Sequence, residues 1–73
     1  MNYSLIRINA DLIKQEMERK RVKYVDLAWW IDRSPRTVRN ALKSGLASPY
    51  VAEKMAEKMG LDLHDVILEE NND

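Results

Sequence analysis

Six residues within one stretch are the best equipped for chemistry: Arg33, Arg36, Thr37, Arg39, Asn40 and Lys43. Residues 33–43 carry four positive charges and no negative one. Arginine donates bidentately to guanine O6 and N7, asparagine matches adenine N6 and N7, and Arg or Lys neutralises phosphates. The set therefore suits nucleic-acid recognition. Most charged stripes are merely solvated helix faces. This one has a single sign, includes an amide and begins three residues after a short helix ends, which favours contact with DNA over a solvated face.

Catalysis has less to draw on. There is one histidine, His64, no cysteine and no glycine-rich loop, which leaves little for nucleophilic attack or for cradling a phosphate. His64 beside Asp65 reads as helix surface, and Glu16, Glu18, Glu53 and Glu57 lack a buried setting that would make acid and base of them. Neither a thiolate metal site nor a disulfide can form. No enzyme, cofactor or metal is expected.

A second kind of chemistry lies upstream, in the tandem pair Trp29 and Trp30. At about 100° per residue from Tyr24, the residues Tyr24, Leu27, Ala28 and Ile31 span about 300° to about 40°, whereas Val25 falls at about 100° and Trp29 at about 140°. Trp30, at about 240°, flanks the core side. Two adjacent rings cannot both point inward. Trp30 is expected to fold over the core edge, while Val25 and Trp29, at i and i+4, form an outward apolar strip of the kind that anchors protein interfaces. Val25, Trp29 and Trp30 are therefore candidate protein-binding residues, with another copy of the chain among the partners to consider.

These side chains need helices to hold them. Each proline follows a serine, and Ser34-Pro35 and Ser48-Pro49 read as N-cap and first helical position. Gly60 follows an apolar-periodic run and suits a left-handed helix end, and Asp62 caps what comes next. Asn9 with Asp11 in the first turn opens the first helix. Five helices are expected at about 10–19, 24–31, 35–43, 49–59 and 63–69, an all-α five-helix bundle forming one domain over 1–73. The periodic core comprises Leu12, Ile13 and Met17; Tyr24, Leu27, Ala28 and Ile31; Val38, Ala41 and Leu42; Val51, Ala52, Met55, Ala56 and Met59; and Leu61, Leu63, Val66 and Ile67. In the third helix the core residues fall between about 240° and about 340°, opposite Arg36, Arg39, Asn40 and Lys43 at about 40° to about 140°. Three of the four methionines, Met17, Met55 and Met59, sit at core spacing and the fourth, Met1, is the initiator, so packing explains them better than a binding groove.

The first eight residues admit three readings: an extended arm, a dimer strand, or an apolar lead-in. The lead-in is favoured, because a single strand cannot satisfy its own backbone. Residues 69–73 are polar enough to fray.

At 73 residues and 8.6 kDa there is room for a single core. The longest apolar run, Leu27 to Ile31, is far short of a membrane span, and no basic segment followed by an apolar stretch begins the chain. No membrane association is expected, and a reducing cytoplasm is the expected compartment. The net charge of zero conceals a gradient: residues 1–59 hold all twelve Lys and Arg and seven acids, whereas 60–73 hold five acids and no Lys or Arg. A basic body thus carries an acidic tail.

Tyr24-Val25-Asp26-Leu27-Ala28-Trp29-Trp30-Ile31, the opening Ser34-Pro35-Arg36-Thr37-Val38, and Met55-Ala56-Glu57-Lys58-Met59-Gly60-Leu61 with Asp62-Leu63-His64-Asp65-Val66 together resemble the Cro and phage-repressor type of helix-turn-helix domain. The resemblance covers roughly residues 8–68 and implies a lambda-repressor-like fold. It maps the family's base-reading positions onto Arg36, Thr37, Arg39 and Asn40. Three positions depart from the pattern: Tyr24 stands where glutamine is usual, Asp32 where glycine is favoured, and Arg33 where a buried aliphatic is common. The two tryptophan positions are usually polar in the family.

In size and pattern the chain is also similar to the small antirepressors, or modulators of repression, of temperate phages of Gram-positive bacteria. That resemblance implies binding to the N-terminal helix-turn-helix domain of a phage repressor and exclusion of that repressor from its operator. The acidic tail would complement the repressor's basic surface. The alternative it implies is a conventional dimeric repressor, with the helix over 35–43 in the major groove of double-stranded operator DNA and Arg33 and Lys43 on phosphates.

Overall fold

The computed structural model describes residues 4–69. Helix α1 spans Ala10–Lys20 and opens on Asn9, whose Oδ1 accepts from the backbone N–H of Leu12 at 3.1 Å. It ends at Arg21, which takes a left-handed conformation (φ 59°). Helix α2 spans Tyr24–Ile31, and the Asp26 carboxylate accepts from the N–H of Lys23 at 3.0 Å. Ser34 Oγ accepts from Thr37 N–H at 3.2 Å to open α3, Pro35–Ser44, and Ser48 Oγ accepts from Val51 N–H at 3.2 Å to open α4, Pro49–Met59. Proline at the first position of each helix loses nothing, since that N–H has no partner within the helix. Gly60 (φ 68°) closes α4, and Asp62 caps the single turn of α5, Leu63–Val66.

The ends of the chain depart from the all-α expectation. Ile6–Ile8 form a strand, β1, paired antiparallel with β2 (Leu46–Ala47) on one side and β3 (Ile67–Glu69) on the other, in the order β2-β1-β3. The fold is mainly helical with a small three-stranded sheet, and residues 6–8 are its central strand rather than a lead-in. Two distant segments supply what a lone strand lacks. Ile8 N–H donates to the Gly45 carbonyl at 2.9 Å, and Asn9 N–H donates to that of Val66 at 2.7 Å.

The same pairing shortens the last helix, expected over 63–69. It stops at Val66, and the next three residues leave it to join β1. Leu63 is consequently exposed, whereas Leu12, Tyr24, Leu61 and Ile67 are half-buried rather than central. The fraying expected of the tail concerns residues 70–73, which lie outside the described ones, as does Tyr3; Glu69 belongs to β3.

The core gathers Ile13 and Met17 of α1, Leu27, Ala28 and Ile31 of α2, Val38, Ala41 and Leu42 of α3, and Val51, Ala52, Met55, Ala56 and Met59 of α4. Val66 joins them, and the sheet contributes Ile8 and Ala47, which helical periodicity leaves out. Among the described residues no polar or charged side chain is buried. Lys20 Nζ donates to the Met59 carbonyl at 2.7 Å and lies 3.3 Å from a Glu16 carboxylate oxygen, tying the ends of α1 and α4. No helix is long and apolar enough to cross a membrane, among the described residues.

Candidate nucleic-acid and partner interfaces

Because Val38, Ala41 and Leu42 fill the core, the opposite side of α3 presents Arg36, Arg39, Asn40 and Lys43, all exposed. Thr37 sits at the edge of that face. Its hydroxyl lies 3.1 Å from that of Ser34, so part of its hydrogen-bonding capacity already serves the cap. Among the described residues Arg36, Arg39 and Lys43 form no ion pair. The ion pairs among the described residues are Lys14 with Asp11, Arg19 and Lys20 with Glu16, and Lys54 with Glu57. The hydrogen bond from Arg19 holds the Glu16 carboxyl below its ordinary range. Among the described residues Arg36, Arg39 and Lys43 have no such carboxylate partner, and their charged ends are exposed.

Arg33, just before the cap of α3, is exposed beside this stripe and stacks on an aromatic ring of α4. Its guanidinium lies 4.2 Å from the centroid of the Tyr50 ring, and Nη1 donates to the Asp32 carbonyl at 2.8 Å. The Tyr50 hydroxyl donates to the Ile31 carbonyl at 3.3 Å, and Lys54 Nζ stands 5.8 Å from the same ring. Arg33 and Tyr50 together cover the turn between α2 and α3. A flat cation on an aromatic face does there what a buried aliphatic does by packing. Arg33 remains exposed and lines a shallow groove of about 670 Å³ with Thr37, Asn40 and Leu46. Tyr50 and Lys54 were not among the residues picked out by sequence. The available signal was that Tyr50 is an aromatic at the second position of α4, off the stripe formed by Val51, Ala52 and Met55.

On α2 the outward strip stands as its spacing implies. Trp29 is 83% exposed and Val25 62%; Trp30, expected to fold over the core edge, is also exposed, at 44%, and is not among the hydrophobics packed against the core. Asp32 occupies the left-handed turn position (φ 62°). The strip and the stripe adjoin, since Val25 and Arg39 line one groove of about 510 Å³ together with Tyr24, whose ring centroid is 5.9 Å from the Arg39 guanidinium.

His64 is exposed at the start of α5. Among the described residues no group of three or more His, Cys, Asp or Glu is placed to hold a metal ion. No protein-family model, curated protein or solved structure matches the chain.

Proposed function

We propose that the chain is a small transcription regulator of a phage-type lysogeny switch, an antirepressor that docks on a partner repressor's helix-turn-helix domain and keeps it from its operator. The carrying observation is the exposed indole of Trp29 with Val25 one turn before it, on the side of α2 turned away from the core. Packing does not account for a ring 83% exposed, and large aromatics of this kind dominate interface energies when a partner covers them. Trp30 at the strip's edge extends the contact. The partner is the DNA-binding domain of a phage repressor, and occlusion of its recognition helix is the mechanism. The test is a gel shift of that domain on its operator with increasing amounts of this chain. Release of the operator by the wild-type chain and not by Trp29→Ala supports the reading; equal release by both overturns the anchor role.

A second reading has its own observation, the gathering of Arg36, Arg39, Asn40 and Lys43 on the exposed face of α3, with no carboxylate paired to them among the described residues. A three-residue turn joins α2 to α3, the spacing of a helix-turn-helix whose second helix enters the major groove. In that arrangement Arg36, Thr37, Arg39 and Asn40 meet base edges, and Arg33 and Lys43 meet phosphates. Neutralising about three phosphates per monomer gives a slope of log affinity on log salt of about −3 for a single domain. A flat salt response, or no shift with operator-like DNA, overturns it.

A further inference from the structure

Arg36 and Arg39 stand on the same exposed face of α3, and their surroundings differ. Among the described residues Arg36 has neither an ion pair nor a stacked ring, whereas the Arg39 guanidinium lies over the Tyr24 ring, 5.9 Å from its centroid. Tyr24 opens α2 and is half-buried against the core. Its ring is thus held from behind and offers the outer arginine a fixed platform.

The rest of the groove that these two side chains line makes the contact informative. Lys14 and Lys23 stand in the lining with them, and Glu18 is the one acid among its described residues. Two ammonium groups repel a third cation, and a carboxylate is the ordinary partner of a guanidinium. Arg39 nonetheless forms no ion pair with Glu18 among the described residues. What holds it is the face of a ring. For recognition the difference matters, because a carboxylate takes up the N–H groups along the guanidinium edge, whereas a ring under the flat face leaves them free for a base. Arg33 supplies the contrast: it too lies on a ring, that of Tyr50, but its Nη1 already donates to the Asp32 carbonyl.

We infer that Tyr24 is a positioning residue for Arg39, its ring presetting the guanidinium beside α3 with the donor edge free, so that Tyr24 sets how sharply the chain discriminates at the base pair Arg39 meets. The inference rests on the reading of α3 as a major-groove helix. A guanidinium held in place before contact loses less side-chain freedom on binding and has fewer geometries in which to accept a wrong base. Guanine, whose O6 and N7 match the fork, is the base expected there.

Selection from a pool of random-sequence DNA duplexes, followed by fluorescence anisotropy on the duplex that the wild-type chain selects, tests this. Arg39→Ala is expected to lose the preference for guanine at one position. Tyr24→Leu is expected to relax the preference at that same position and to weaken binding about three- to tenfold, with the salt slope unchanged because no charge is removed. Tyr24→Phe keeps the ring and is expected to behave as the wild type. Since Tyr24 also packs on the core, a double-mutant cycle separates its two roles. A loss transmitted through Arg39 vanishes in the Arg39→Ala background and persists in Arg36→Ala, whereas a loss through the fold appears in both. Tyr24→Met repeats the cycle with another filling of the core edge, and thermal melting shows that each variant folds. Ringless variants that bind and select as the wild type does, an equal loss in the two backgrounds, or a Tyr24→Phe that loses the preference overturn the inference and leave the reading of α3 standing. A wild-type chain that selects no sequence from the pool overturns that reading, and the inference with it.

Discussion

The outer faces of α2 and α3 lie on neighbouring helices joined by three residues, and both helices bury their inner faces in one core. Their outer faces nonetheless carry opposite chemistry. On α2 stand Val25 and Trp29 with Asp26; on α3 stand Asn40 and three cations, Arg36, Arg39 and Lys43, that join no ion pair among the described residues. Packing dictates the inward residues of each helix, so it explains Leu27, Ile31, Val38 and Leu42 and nothing about the outward ones. What those outward residues share is exposure, and the proposed roles divide between them, contact with protein on α2 and contact with nucleic acid on α3.

The largest expected effect breaks the comparison on the α3 side. Replacing both Arg36 and Arg39 with alanine is expected to weaken operator-like DNA binding by about two to four orders of magnitude, since each well-placed bidentate contact is worth about 1–3 kcal/mol. Folding stability should stay within about 0.5 kcal/mol of the parent by thermal melting, because both side chains are exposed. Repressor capture should be unchanged. A parallel loss of capture would show that the two faces act as one.

The next effect breaks it on the α2 side. Trp29→Ala is expected to weaken repressor capture by about 2 kcal/mol, or roughly thirtyfold, as a hot-spot aromatic does. Isothermal calorimetry measures the loss. The affinity of the chain for DNA, titrated by fluorescence anisotropy, should not move.

The inner half of this arrangement was legible in the sequence, because its determinants are local. Ser34-Pro35 and Ser48-Pro49 state where α3 and α4 begin, Gly60 states where α4 ends, and the 3.6-residue period selects the buried side of each. The outward position of Trp29 followed from the same wheel. The sheet was not legible, because the partners of residues 6–8 lie about forty and sixty residues away and nothing within the strand names them. Gly45 offers its carbonyl to Ile8 only once α3 has been laid across the core. The last helix failed for the same reason: Ile67 fits a helical stripe as well as a strand, and pairing with β1 decides between them. The stacking of Arg33 on Tyr50 was not legible either, because Tyr50 sits on another helix.

A smaller effect examines the joint between the two faces. Tyr50→Phe removes the hydroxyl that donates to the Ile31 carbonyl and keeps the ring under Arg33, so it is expected to cost about 0.5–1 kcal/mol of stability in urea unfolding. Tyr50→Ala removes the ring too and is expected to cost about 1 kcal/mol more. If both substitutions cost the same, the stack contributes nothing and the hydroxyl alone fastens α4 to the turn.

The smallest effect falls on Asp32, which belongs to both halves of the comparison. Its backbone is left-handed (φ 62°), a conformation glycine adopts without a Cβ penalty. It also sets a carboxylate at the C-terminus of α2, where the helix dipole favours a cation and the last turn supplies none. Asp32→Gly relieves both costs and gives back part of the gain as chain entropy in the unfolded state. A net stabilisation of about 0.5 kcal/mol is expected in urea unfolding. If Asp32 is only a poor turn residue, repressor capture is untouched. As a carboxylate three residues after Trp29, its removal should instead weaken repressor capture about two- to fivefold, a size typical of an exposed charge pair, while the protein becomes more stable. A gain of stability with weaker capture is the signature of a residue kept for its contact, and a gain of stability with capture unchanged would assign Asp32 to the fold alone.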